Sequence, residues 1–424
     1  MRPQLLFLCQ TLPYPPDGGV WIRTYHILRL LARAFDITAL CFERAPMPGS
    51  RAAHDSRAGC RALTGFADVE VFPVPQRHSR IRYAWDHACS MAMRRVYTTY
   101  LYESEPFERR LVEIVTSKRI DLVHVDSLDL ASYLPLCHGI PVICTHHNVE
   151  SALLRRRAAI ERNEWRRAYM RHQARLMENA ERYWCGRVAL NVAVSDRDRE
   201  SLACIAPGSR ITVVPNGVDL EEFQPAGRPG AGVAFVGGLH WLPNLDALEF
   251  FGRDILPHLR AAHAPVSTRW IGSASIAETR RYRDRFDVEI TGYVDDVRPF
   301  MRDAACHIVP LRAGGGTRLK ILHSWAMAKP VVATSVGCEG LAAVDGGNIL
   351  IRDDPKDFAD AVRAVLEDRE LARRLGARGR TTVEQFYSWD AIGLDLVNAY
   401  LDVARVGSTA SASPLTTIGA GHGR

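Results

Sequence analysis

The densest run of chemically useful residues is Pro310-Leu311-Arg312-Ala313-Gly314-Gly315-Gly316-Thr317-Arg318-Leu319-Lys320, where an apolar segment ends in three glycines and a helical pattern begins. Glycines leave amide N–H groups bare, and a helix start adds partial positive charge. With Thr317, Arg318 and Lys320 in the first turn, the segment has the parts of a diphosphate cradle. Its spacing is not Gly-x-x-x-x-Gly-Lys-Ser/Thr, which argues against a P-loop and ATP hydrolysis. A second glycine turn, Pro15-Pro16-Asp17-Gly18-Gly19, follows the first apolar run and opens a helix reaching about Ala34. It reads as an ordinary turn or as a second anion site. Without Gly-x-Gly-x-x-Gly, a dinucleotide cofactor is disfavoured. Thr145-His146-His147-Asn148-Val149-Glu150-Ser151 also follows an apolar run. Adjacent histidines point in different directions, so at most one faces a ligand, and a helix-capping Asn148 is the plainer alternative. Ser195-Asp196-Arg197-Asp198 looks like a metal pair but reads better as a helix N-cap followed by acidic residues. No set of ligands at metal-binding spacing stands out, so no metal site is expected.

These segments need strands to hold them. Short apolar runs alternate with longer amphipathic stretches, the pattern of β-α units on parallel sheets covered on both faces. In the first half the predicted strands are 5–9, 37–42, 69–74, 122–125, 142–145 and 188–194; in the second, 233–236, 268–271, 288–290, 307–310, 331–334 and 349–351. The fold class is therefore α/β, with two Rossmann-like parallel-sheet domains facing a central cleft. Turn formers cluster over 208–230, which places the hinge.

The 424 residues exceed what one core supports, since single cores stop growing near roughly 250 to 300 residues. A hydrophobic content of 47% with 24% charged residues excludes fibrous and mainly disordered classes. The net charge of +6 favours an anionic partner without choosing one. Ten singly spaced cysteines fit reduced, buried thiols. The apolar run 5–9 is too short for a signal peptide and no run is long enough to span a membrane, so a cytoplasmic location is expected. Two stretches combine arginine with aromatic residues. Residues 78–104 carry Arg80, Arg82, Arg94 and Arg95 with Tyr83 and Trp85; residues 150–184 read as one long helix with Leu154, Ala158, Trp165, Tyr169, Leu176 and Tyr183 on a core-facing stripe. A solvated charge face is one account of them. The other is a surface for an anionic acceptor or for lipid headgroups, giving peripheral contact at the inner membrane face. Nucleic acid is not expected, because no binding motif accompanies the charge.

The chain resembles the family 4 retaining glycosyltransferases of the GT-B fold, in particular the bacterial exopolysaccharide and exosortase-associated branch. The resemblance rests on the Pro-x-x-Gly-Gly loop, His147-Asn148-Val149-Glu150, Val214-Pro215-Asn216-Gly217-Val218-Asp219, Phe235-Val236-Gly237-Gly238, the Gly-rich block and Phe386-Tyr387-Ser388-Trp389. It implies an acceptor-side domain over 1–212, a nucleotide-sugar domain over 213–388 and a helix over 389–405 crossing back; residues 406–424, rich in Ser, Thr, Ala and Gly without a period, read as a disordered tail. It further implies metal-independent sugar transfer, with retention, from a UDP- or GDP-sugar to a glycan or lipid-linked glycan hydroxyl. Gly18 and Gly19 would approach the donor diphosphate and His147 the donor sugar. Gly237, Gly238 and Gly272 would line the nucleotide cleft, with the backbone at Tyr293 reading the base. Gly315, Gly316 and Thr317 would give amides to the phosphates that Arg318 and Lys320 neutralise. Many members carry two glutamates eight positions apart in this block; here those positions are Gly315 and His323. Imidazole can still bond a ribose hydroxyl, and Glu339 is the candidate replacement for the sugar-facing carboxylate. Two rival readings are a nucleotide-sugar epimerase of the same fold and a non-catalytic sugar-nucleotide-binding scaffold.

Overall fold

The computed structural model describes residues 2–44, 56–161, 163–225, 230–261, 266–314 and 318–411. Its first half is a seven-stranded parallel sheet of β1 (Gln4–Cys9), β2 (Asp36–Phe42), β3 (Asp68–Phe72), β4 (Leu122–Val125), β5 (Val142–Thr145), β6 (Leu190–Ala193) and β7 (Ile211–Val213), in the order β3-β2-β1-β4-β5-β6-β7. The second half is a six-stranded parallel sheet of β8 (Val233–Val236), β9 (Thr268–Ile271), β10 (Glu289–Ile290), β11 (Cys306–Val309), β12 (Val331–Ala333) and β13 (Leu350–Ile351), in the order β10-β9-β8-β11-β12-β13. Counted from its own first strand, the second sheet repeats the order 3-2-1-4-5-6 of the first. Each sheet therefore reverses direction once, between β1 and β4 and between β8 and β11. Ligands of open α/β sheets bind in the crevice outside the strand ends at such a reversal.

The apolar strands bury both faces. In β1, Leu5, Phe7 and Cys9 join one core, while Leu6 and Leu8 join another on the opposite face. The register Leu8↔Leu40 and Leu8↔Val125 keeps each set on its own side. β7 escaped the sequence reading because it is three residues long, lies at the sheet edge and is only half-buried. It pairs with β6, so the first sheet continues through Val213 and the expected division after residue 212 cuts a strand.

The long helical pattern over 150–184 is two helices, Glu150–Ile160 and Glu164–Cys185, the second started by the Asn163 side chain accepting from the Arg166 amide. The expected core stripe fails at Trp165 and Tyr183, which are exposed. The last helix, Trp389–Ser411, does return to the first half: Trp389, Ile392, Leu396 and Tyr400 share a core with β1. It runs past the expected end at 405, and residues 412–424 of the expected tail lie outside the described residues. The ten cysteines form no disulfide, and none of the described helices is long and apolar enough to cross a membrane.

Candidate active site

At the first reversal, Asp126 directly follows β4 and is fully buried. Its carboxylate accepts from Thr24 Oγ1 at 3.0 and 3.1 Å and lies 3.3 Å from His147 Nε2 and 3.7 Å from His124 Nε2. Burial alone would raise its pKa, but His147 and His124 outweigh that and hold it well below the usual carboxylate range. Asp126 is thus a fixed anion that orients His147. The neighbouring His146 turns inward onto Asn191 Oδ1 at 2.9 Å, and burial pushes its pKa down to about 4. The adjacent histidines do diverge.

The loop after β1 ends at Gly18, whose missing side chain makes room for Trp21: a Cβ there would lie 2.5 Å from the indole. The following helix, Gly19–Leu31, has no side-chain cap, so its first amides have no intrahelical acceptor. A Cβ on Gly19 would lie 3.8 Å from Leu319 Cδ1, at the start of the helix Leu319–Ala326 that follows the Gly-rich block. That helix also lacks a side-chain cap. Two helix N-termini from two sheets therefore converge, which concentrates positive potential at one point.

On the second sheet the loops after β8 and β9 touch backbone to backbone. Gly272 has φ +150°, and a Cβ on it would lie 2.6 Å from the carbonyl carbon of Gly237 and 2.7 Å from the Gly238 nitrogen. Asn244 joins this floor to the cations, donating to Gly238 O at 2.9 Å and accepting from Lys320 Nζ at 3.0 Å. Lys320 lies 3.8 Å from the centre of the Phe235 ring. Burial, then Arg318, holds its ammonium well below the usual lysine range. Arg318 is buried, donates to Val336 O at 3.2 Å and is lowered to about 10, first by burial and then by Arg156. Gly315, Gly316 and Thr317 lie outside the described residues.

Both halves line a cavity of about 230 Å³ that includes Gly237, Gly238, Gly272, Tyr293, His26 and His323. His323 stacks on Phe223 with ring centroids 4.0 Å apart, and burial pushes its pKa to about 3, so it is a neutral hydrogen-bonding group. Tyr293 donates across the cavity to Asp17 Oδ2 at 3.4 Å, and Asp17 is itself paired with Arg44.

Comparison with known proteins identifies the two halves. Residues 17–222 match a model described as Glycosyltransferase Family 4, and residues 230–368 match one described as Glycosyl transferases group 1. The chain is a glycosyltransferase of the GT-B type. A glycogen synthase of Mycobacterium tuberculosis is 24% identical over 421 residues, covering 92% of this chain and 93% of that protein. A phosphatidyl-myo-inositol mannosyltransferase of the same species is 28% identical over 233 residues, covering 51% of this chain and 60% of that protein. Among solved structures, Anabaena HepE in complex with UDP and glucose superposes with a TM-score of 0.65 at 15% identity, covering 94% of this chain and 99% of that one. Sucrose-phosphate synthase of Thermosynechococcus elongatus gives 0.66 at 16% identity, covering 95% and 100%. These last two show the fold.

Of the glycosyltransferase's expected site residues among the described ones, Gly18, Gly19, His147, Arg318, Lys320 and Glu339 are not part of the cavity's lining, and Glu339 is engaged elsewhere. Its carboxylate lies 2.6 Å from Arg156 of the helix Glu150–Ile160 and also pairs with Arg197. In this arrangement it fastens the two halves together and does not line the cavity. Arg156 also donates to Gly314 O at 2.6 Å, tying the helix after His147 to the Gly-rich block. Asp126, Arg156, Asn244 and His26 are the site residues that sequence reasoning missed. Each is a single polar residue whose partner lies far along the chain; only the position of Asp126, first after an apolar run, was a usable signal. The Pro-Asn-Gly-Val-Asp block is structural: buried Arg23 donates to Pro215 O at 3.1 Å and Asn216 Oδ1 at 2.9 Å, and a Cβ on Gly217 would strike Trp389 at 2.6 Å.

Proposed function

We propose that the protein transfers a sugar from a UDP- or GDP-sugar to a hydroxyl of a glycan or lipid-linked glycan, with retention at the anomeric carbon and without a metal, in assembly of a bacterial surface or extracellular polysaccharide. The observation that carries this reading is the convergence of the two uncapped helix starts at Gly19 and Leu319 beside Arg318 and Lys320. Bare amides, aligned dipoles and two cations stabilise the charge that grows on a departing diphosphate. Lys320 is suited to the task, because an arriving dianion offsets the burial and the Arg318 repulsion that lower its pKa.

In the reaction, the bond from the anomeric carbon to the β-phosphate oxygen breaks as the acceptor oxygen bonds to the same face. The acceptor proton passes to the leaving phosphate, and a nucleoside diphosphate and a glycoside result. His147, held by ionised Asp126, positions the sugar near the reacting carbon, and neutral His323 offers a ring nitrogen to the ribose. The product's anomeric configuration, read by proton NMR on a reaction run in EDTA, tests the reading. Retention with full turnover is expected; an inverted product or loss of activity in EDTA would contradict it.

A further inference from the structure

The helix Arg80–Met93 is built inside out. Its polar residues face the protein: Asp86, 1% exposed, accepts from Gln76 Nε2 at 3.0 Å and Arg82 Nε at 2.6 Å. Ser90, fully buried, accepts from Gln173 Nε2 at 2.9 Å and donates to Arg95 O at 2.8 Å, and His87 Nδ1 lies 2.6 Å from the Tyr169 hydroxyl. The apolar residues face outward. Ile81, Ala84, Trp85, Ala88 and Ala92 fall on one helical stripe, all exposed, with Ile81 at 84% and Trp85 at 65%. Trp165, four residues before Tyr169 on the neighbouring helix, is a second exposed tryptophan, at 86%. An ordinary surface helix has the reverse arrangement, and a contiguous exposed apolar face marks an interaction site.

Charge identifies the occupant. Arg80 and Arg94 stand at the two ends of the stripe, and Arg166 directly follows Trp165; all three are exposed and make no ion pair among the described residues. A flat apolar stripe carrying tryptophan and rimmed by free guanidinium groups fits a bilayer surface, with the rings at the acyl boundary and the arginines at the phosphates. We propose that this face docks on an anionic lipid surface, with the helix Arg80–Met93 lying in the headgroup plane. The inference does not depend on the donor assignment, because docking needs no nucleotide.

Flotation of the full chain with phosphatidylcholine vesicles, with and without phosphatidylglycerol, tests it. Binding to the anionic vesicles that weakens with added salt is expected. The double variant Ile81→Ser/Trp85→Ser should lower partitioning by at least about tenfold. Its thermal midpoint and its turnover with soluble donor should stay those of the wild type, since neither side chain is packed. Arg80→Gln/Arg94→Gln should reduce binding to anionic vesicles more than to neutral ones. No binding to either vesicle, or equal binding by the double variant, would overturn the proposal. So would a concentration-dependent dimer in sedimentation velocity that the double substitution abolishes, because a second copy would then cover the face.

Discussion

Asp126 is the residue on which the first half of the site turns. It is wholly buried, ionised, and in contact with Thr24, His124 and His147, two of which sit on other elements. Asp126→Asn keeps the shape but removes the charge that selects the His147 ring orientation. Turnover should fall about 10²-fold with little change in nucleotide affinity, measured by steady-state kinetics beside calorimetry. Unchanged turnover would show that His147 needs no such partner. His146 makes a separate prediction. Its folded pKa of about 4 lies below the ordinary histidine value of roughly 6.5, so the stability it contributes is complete above pH 6.5 and is lost as pH falls through 4. Chemical denaturation of the wild type and His146→Gln between those values should show the wild-type advantage shrinking by up to about 1.4 kcal/mol per pH unit. At this scale the glycine loops were legible, because glycine and cations near a helix start have a direct electrostatic meaning. Asp126 was not, since its partners come from three separate segments.

Among the elements, the loops after β8 and β9 set the floor of the cavity by touching backbone to backbone. Gly272→Ala puts a Cβ within 2.6 Å of the Gly237 carbonyl carbon at a φ that L residues rarely adopt. It should weaken binding of UDP or GDP at least about tenfold by calorimetry while the helices retain their circular dichroism. Wild-type affinity would show that the two loops can part freely. The strands were legible because parallel strands covered on both faces are uninterrupted apolar runs, as in Leu122–Val125 and Val233–Val236. β7 fell below that signal. The division between helices ending at Ile160 and starting at Glu164 was hidden because the apolar spacing continues across it, and the inverted helix Arg80–Met93 was visible only as a mixture of arginine and aromatic residues. Which face such a helix buries is decided by Gln76, Gln173 and Tyr169, which reach it from outside.

For the whole molecule, two sheets of the same strand order place their reversals opposite one another, and the final helix and the Glu339 clasp hold them there. Partly exposed ion pairs contribute about 0 to 1 kcal/mol each, so the clasp sets geometry more than stability. Glu339→Gln should leave the thermal midpoint nearly unchanged while increasing the radius of gyration in small-angle scattering and raising the donor KM. An unchanged radius would mean that the core of the final helix alone fixes the arrangement. The central claim is that the converging helix starts with Arg318 and Lys320 stabilise a departing diphosphate. The most direct measurement is nucleoside diphosphate release across a panel of UDP- and GDP-sugars, with and without a hydroxyl acceptor, for the wild type and Lys320→Ala. The account predicts acceptor-dependent release from one donor class by the wild type, and a loss of about 10²-fold in the variant with acceptor affinity kept. Tight nucleotide binding without release from any donor, or a variant as fast as the wild type, would contradict it.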